Sequence, residues 1–161
     1  MKRALVLITL AALATPALAQ NPSQIAAVQR GASCPGCNLF QADLSSKELK
    51  GKNLSGARLR QADLSIAVIN NTDFSRGDLR DVNAYATVFT NANFAGANME
   101  NASFVGAYLE GAKFGGATLT GVNFSGAEMD RASGLTQAQL NKACGDASTK
   151  LPRGLRIPDC K

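Results

Sequence analysis

The sequence predicts an all-β solenoid, a chain that coils by turning once every five residues. Three observations carry this. A large apolar residue recurs at five-residue spacing from Leu39 to Met129, and only Ala84 breaks the series of nineteen central positions. The position two before each centre is Ala in eleven units. The position two after is Gly in eight units and Asn at Asn71, Asn91 and Asn101, the residue types that tolerate a tight or left-handed backbone.

The period itself excludes the commoner elements. On an α-helix, five residues advance about 500°, so successive apolar residues land roughly 140° apart and form no stripe. On a flat strand, an odd period sends them alternately to opposite faces. A chain that bends once per unit keeps the large residue inside, with one plug, one small filler and one turn per five residues.

The units ANFAG, ANMEN, AYLEG and VNFSG resemble those of the pentapeptide-repeat family. The resemblance covers residues 37–131. It implies a right-handed quadrilateral β-helix with four pentapeptides per coil, the central and small residues both pointing inward. The nineteen units would then make about five coils, spaced about 4.8 Å apart, in a rod about 20 to 25 Å long. Such a rod needs caps, because each end otherwise exposes apolar plugs and unpaired backbone.

Residues 1–19 read as a signal peptide. Lys2 and Arg3 form a charged start, an apolar stretch runs from Ala4 to Ala14, Pro16 breaks it, and Ala17-Leu18-Ala19 makes a cleavage site before Gln20. The stretch is short of the ~20 residues needed to span a bilayer, and no Cys follows the cleavage point to carry a lipid. Export, most plausibly to a bacterial periplasm, is the expectation. Removing Lys2 and Arg3 lowers the formal charge from +5 to +3.

Residues 20–36 form an N-terminal cap. Asn21 and Pro22 start a short helix over residues 23–30, with Asn as N-cap and Pro in the first helical position. Ile25 and Val28 cover the first coil. That coil is imperfect, since Lys47 and Lys52 occupy small-residue positions and must snorkel outward. Further along, Ala84 leaves a central site without its plug, a void that a leucine would fill.

Residues 132–161 form the C-terminal cap and tail. Thr136 and Gln139 make a capping box, Leu135 and Leu140 a hydrophobic staple, and Gly145 the stop of a second helix. The final stretch also resembles the tail of exported members of the family.

Four cysteines allow three pairings. A disulfide needs Cα atoms within about 7 Å, while the rod holds its ends about 20 Å apart. Cys34–Cys37 with Cys144–Cys160 is therefore favoured, although the tail has the length to reach back, so the alternative stays open. The CPGC motif of Cys34 and Cys37 invites a thiol–disulfide reading, but the βαβ context that chemistry uses is missing. A haem site fails because Asn38, not His, follows Cys37 and the chain has no His. A four-cysteine zinc site would require both ends of the rod to meet.

No catalytic constellation is present. A triad is impossible without His, and the Asp residues at positions 43, 63, 73 and 78 recur just before a central residue, where they solvate faces and bond neighbouring coils. A convex rod offers no cleft for paired carboxylates. The sequence therefore reads as a non-enzymatic exported interaction or structural module, with no cofactor and no nucleic acid. Its partner would be a protein or an anionic surface polymer; its oligomeric state is open.

Family resemblance supplies a second reading, a DNA mimic that binds gyrase and protects it from quinolones. Those rods are acidic and cytoplasmic, whereas this sequence has a pI near 9.2 and an export signal. A third reading is a thiol–disulfide protein using Cys34 and Cys37.

One face stands out as a binding candidate. If residues twenty apart stack, Arg60 lies in register with Arg80, followed by Glu100, and Arg58 neighbours Asp78. Arg58, Arg60 and Arg80 would face an acidic partner unless they pair internally, Arg80 with Glu100 and Arg58 with Asp78.

Overall fold

The computed structural model describes residues 20–161, so residues 1–19, which the sequence reads as a signal peptide, lie outside the described residues. Parallel bridges join residues twenty apart from Asn38↔Arg58 through to Lys113↔Ser133. Four pentapeptides therefore close each coil. The ladder is regular: the amide of Leu59 donates to the carbonyl of Asp78 at 2.8 Å, and that of Arg58 to the carbonyl of Cys37 at 2.8 Å.

This register stacks the central residues in four inward columns. One holds Leu39, Leu59, Leu79, Met99 and Leu119, all essentially inaccessible. Another stacks Phe74, Phe94 and Phe114 nearly parallel, with successive ring centroids 5.4 Å apart, and Phe89, Phe104 and Phe124 pack against it edge-on. Small residues fill between. Thr72 and Thr87, which take the place of Ala, each donate a hydroxyl at 2.6 Å to the carbonyls of Leu49 and Leu64, so their burial leaves no polar group unsatisfied.

The corners go beyond what Gly and Asn alone indicate. Gln41, Ser46, Gln61, Ile66, Arg76, Asp81 and Ala86 also adopt positive φ, between 51° and 59°. The ladder imposes this conformation: each corner amide donates to the adjacent coil, as Gln61 does to the carbonyl of Arg80 at 2.9 Å. That bond offsets the roughly 1 to 2 kcal/mol an L-residue spends in the left-handed region.

The Asp or Asn before each centre has a job of its own. Its side chain accepts the amide two residues on, bridging over the buried residue, as in Asp43 to Ser45 at 3.0 Å and Asp63 to Ser65 at 2.9 Å. Some also bond between coils, as Asn83 donates to Asp63 and Asn93 to Asp73.

Ala84 is fully buried, and the two filler positions beside it hold Val82 and Thr87, both larger than the usual Ala. The Phe89 ring lies 5.4 Å from that of Phe104. Both flanking fillers are thus bulkier than the Ala of most units, which predicts crowding for a leucine at position 84.

A short helix lies at the N-terminal end. Helix α1 (Pro22–Gln29) begins with Pro at its first turn, and the Asn21 side chain accepts the Gln24 amide. Val28 is fully buried and Ile25 packs against the core. The Gln24 side chain accepts the Asn38 amide at 2.8 Å and Gln29 donates to the carbonyl of Asp43 at 2.8 Å, tying the helix to the first coil. Lys47 and Lys52 are half-buried, and the Lys52 amine reaches out beside Gly31.

The C-terminal end differs from expectation. Helix α2 (Gln137–Leu140) is a single turn. Gly145 does not stop it, because the chain has already rejoined the ladder: Cys144 bridges Asn123 and Lys150 bridges Glu128. Bridging thus continues past residue 131. Leu140, fully buried, supplies the core side chain that a repeat centre would. Gly145 instead pairs with Asp159, and a side chain there would collide with Thr149 and Ile157. The tail crosses this end, with Leu151, Leu155 and Ile157 packed on the core.

Candidate functional site

The arginine face is built on one column of strands. Backbone register pairs Arg58 with Asp78, as the sequence implies, but the side chains pair differently. Arg80 takes the carboxylate of Asp78, two residues back in the same coil, through Nε at 2.7 Å and Nη2 at 2.6 Å. Arg60 reaches Asp81 at 3.3 Å. The expected pairs Arg80–Glu100 and Arg58–Asp78 do not form, because Asp78 and Arg80 flank the same inward Leu79 and share its outer face. The Arg58 guanidinium instead lies 5.5 Å from the centre of the Phe40 ring.

Electrostatically, Arg80 donates hydrogen bonds to Asp78 and holds its carboxyl below the ordinary value of 3.8, while Asp78 raises the Arg80 guanidinium. Arg60 and Arg80 therefore sit among Asp78, Asp81 and Glu100. The stacking of Arg60 over Arg80, unfavourable for bare charges, is offset by one carboxylate for each.

Cys34 and Cys37 lie between α1 and the first coil with Cα atoms 5.5 Å apart, and Cys144 and Cys160 lie at the far end with Cα atoms 4.8 Å apart. Both separations suit disulfides. The Cys34 amide donates to the carbonyl of Asn53, so the CPGC turn is part of the ladder. Among the described residues, no group of three or more His, Cys, Asp or Glu could hold a metal, and no helix is long and apolar enough to cross a membrane.

Sequence comparison bears on this geometry directly. The family description "Pentapeptide repeats (8 copies)" matches residues 48–83, 67–104, 87–126 and 107–144, together more than half of the chain. The chain belongs to the pentapeptide-repeat family. Among solved members, it resembles HetL, a pentapeptide repeat protein involved in heterocyst differentiation regulation from the cyanobacterium Nostoc sp. strain PCC 7120. The two are 29% identical with a TM-score of 0.54, over 73% of this chain and 51% of HetL. The chain thus spans about half the length of HetL. It also resembles the plasmid-mediated fluoroquinolone resistance protein QnrB1, at 23% identity and a TM-score of 0.48, over 78% of this chain and 76% of that one. A third is a pentapeptide repeat protein of the Arabidopsis thaliana thylakoid lumen, at 26% identity and a TM-score of 0.34, over 57% of each chain. No curated protein matches by sequence.

A pentapeptide-repeat chain is its own internal control, since equivalent outward positions recur nineteen times. Immediately before the centre they hold polar or charged residues except at Val68, Val88 and Tyr108, and these three bridge one another in consecutive coils. At the adjoining corner, Ile66, Tyr85 and Val105 replace the Ser or Gly typical there. Ile66 is bridged to this group by its amide, which donates to the carbonyl of Tyr85 at 2.9 Å. Among the described residues, Ile66, Tyr85 and Tyr108 are the large hydrophobics most exposed, at 62%, 53% and 47%. Reading the faces for charge alone misses this corner. Wrapping the sequence at a period of twenty would have found it.

The corner opens at one end into a hollow of about 310 Å³, lined by Val88, Tyr108, Thr90, Glu110, Glu128 and Asp130. Arg131 pairs with Glu110, and Lys150 with Glu128 at 3.1 Å. Asp130 makes no ion pair among the described residues.

Proposed function

We propose that this protein is a non-enzymatic, exported pentapeptide-repeat rod whose work is to present rigid faces to a partner outside the cytoplasm. The fold is a right-handed quadrilateral β-helix of about five coils with a helical cap at each end. The observation that carries this reading is the use of the chain's polar residues. The Asp and Asn side chains before the centres bridge their own turns or bond the next coil, and the arginine face is occupied by its own carboxylates. Little chemistry is left over for catalysis, and what remains is a shaped surface. The leader of residues 1–19 and the two cysteine pairs at disulfide distance support an oxidising destination. Both pairs would act as structural staples, and no cofactor is required.

Cell fractionation tests the reading. The mature chain, cut after Ala19 and with all thiols blocked as disulfides, is expected in the periplasmic fraction. Full-length chain with reduced thiols in the cytoplasm would contradict it.

A further inference from the structure

We propose that the apolar corner docks a segment of a partner protein whose apolar side chains lie along Val68, Val88 and Tyr108, and whose lysine or arginine enters the hollow beside Asp130. This rests on the interaction-rod reading and adds to it a surface and a partner chemistry.

Three features of the corner argue for contact. First, its apolar residues are not scattered. Apart from Phe40, which the Arg58 guanidinium covers, the large apolar residues at outward positions gather on this corner in neighbouring coils. Scattered apolar residues need no explanation, but a contiguous exposed group marks an interaction site. Second, Ile66 is strained. A β-branched residue at φ 59° is an outlier, and the equivalent corners of the neighbouring coils hold Ser46, Ala86, Gly106 and Gly126. The Ile66 side chain packs into no core, since it is among the most exposed hydrophobics. Third, the corner is flanked by carboxylates. Glu48 precedes Val68 in the ladder and Glu128 follows Tyr108, with Glu110 and Asp130 in the hollow.

Charge decides the occupant. With Arg131 paired to Glu110 and Lys150 to Glu128, the carboxylates lining the hollow outnumber these two cations by one, beside Tyr108. A long basic side chain satisfies both, its methylenes over Tyr108 and Val88 and its cation against Asp130. An anionic lipid surface or an anionic polymer would meet repulsion here. A second copy docking through this same corner offers the hollow either its own acidic end or the Glu48–Lys50 end, which is already neutralised by its 3.4 Å pair. Neither supplies a free cation.

The test uses the full mature chain from residue 20 and two surface variants, Val88→Ser with Tyr108→Ser and Glu128→Gln with Asp130→Asn, each checked for an unchanged melting profile. The probes are a ten-residue peptide alternating valine and tyrosine with one arginine at its end, the same peptide with glutamate for arginine, and phosphatidylglycerol vesicles. The native chain is expected to bind the arginine peptide at least tenfold tighter than the glutamate peptide. Each variant should lose at least tenfold for the arginine peptide, with binding weakening as salt is raised. Equal binding of both peptides, preference for the vesicles, or concentration-dependent self-association abolished by the Val88/Tyr108 pair would each overturn the proposal. Arginine-peptide binding that both variants retain would overturn this corner while leaving the interaction rod standing. A chain that binds no probe and captures no periplasmic protein would remove both.

Discussion

At the scale of single residues, Ile66 and Ala84 both break the repeat, and the structure gives each a different meaning. Ile66 keeps a left-handed corner that glycine adopts freely. Its replacement by glycine is expected to leave the melting temperature unchanged or raise it, since about 1 kcal/mol of backbone strain is relieved. The same change removes apolar surface from the corner, so binding falls while stability does not. A fall in melting temperature would mean that Ile66 packs inside the rod. Ala84 is the opposite case. The sequence marks it as a gap, but the bulkier Val82 and Thr87 flank it where most units have Ala. Ala84→Leu is therefore expected to destabilise by about 1 to 3 kcal/mol through overpacking. Adding Val82→Ala should recover part of that loss in denaturant unfolding. A neutral single variant would show that the gap is real. The plug series alone could not reveal this, because the compensation lies in filler positions whose departures from Ala look small.

At the scale of elements, the repeat units and α1 were legible because each carries a signal confined to a few neighbouring residues. A five-residue period, an Asn-Pro start and the Thr136–Gln139 box all translate directly into backbone hydrogen bonds. The extent of α2 was not legible. Its start signals are complete, but its end is set by the ladder, where Cys144 and Lys150 bond residues about twenty positions earlier. Local propensity loses to those long-range bonds. Gln139 connects the two. Its side chain accepts from Thr136 and donates to the carbonyls of Phe114 at 3.0 Å and Ala117 at 2.9 Å. Gln139→Ala should therefore cost more than Thr136→Ala, which loses only a cap worth about 1 kcal/mol. Amide exchange at residues 137–145 should quicken more in the Gln139 variant. Equal effects would mean the helix is held by its cap alone.

At the scale of the whole molecule, the polar residues bind the rod to itself, and this gives stability a pH dependence. Asp43, Asp78 and Asp146 accept hydrogen bonds that lower each below the ordinary value of 3.8: from Ser45, from Arg80 and from Ser148 respectively. A carboxyl depressed on folding contributes stability that is complete above its unfolded value and lost as pH falls through its lower folded value. The melting temperature is therefore expected to hold down to about pH 4 and to drop below it. Asp78→Asn should flatten part of that drop, and an unchanged acid limb would remove Asp78 from the account. The arginine face was legible as a row of charges in register. That its charges pair internally was legible too, but the partners were not, because pairing depends on which carboxylate shares an outer face with which guanidinium, and the sequence order of Asp78 and Arg80 hides a contact made around a buried leucine.

The most direct test of the central claim, that this rod works through its apolar corner, is photo-crosslinking in intact cells. A photoreactive benzoyl-phenylalanine is placed at position 85 in one strain and at position 60 in another. The account predicts a discrete periplasmic adduct from position 85, abolished by Val88→Ser with Tyr108→Ser, and none from position 60. Adducts from position 60 with none from position 85 would contradict it and return the site to the arginine face.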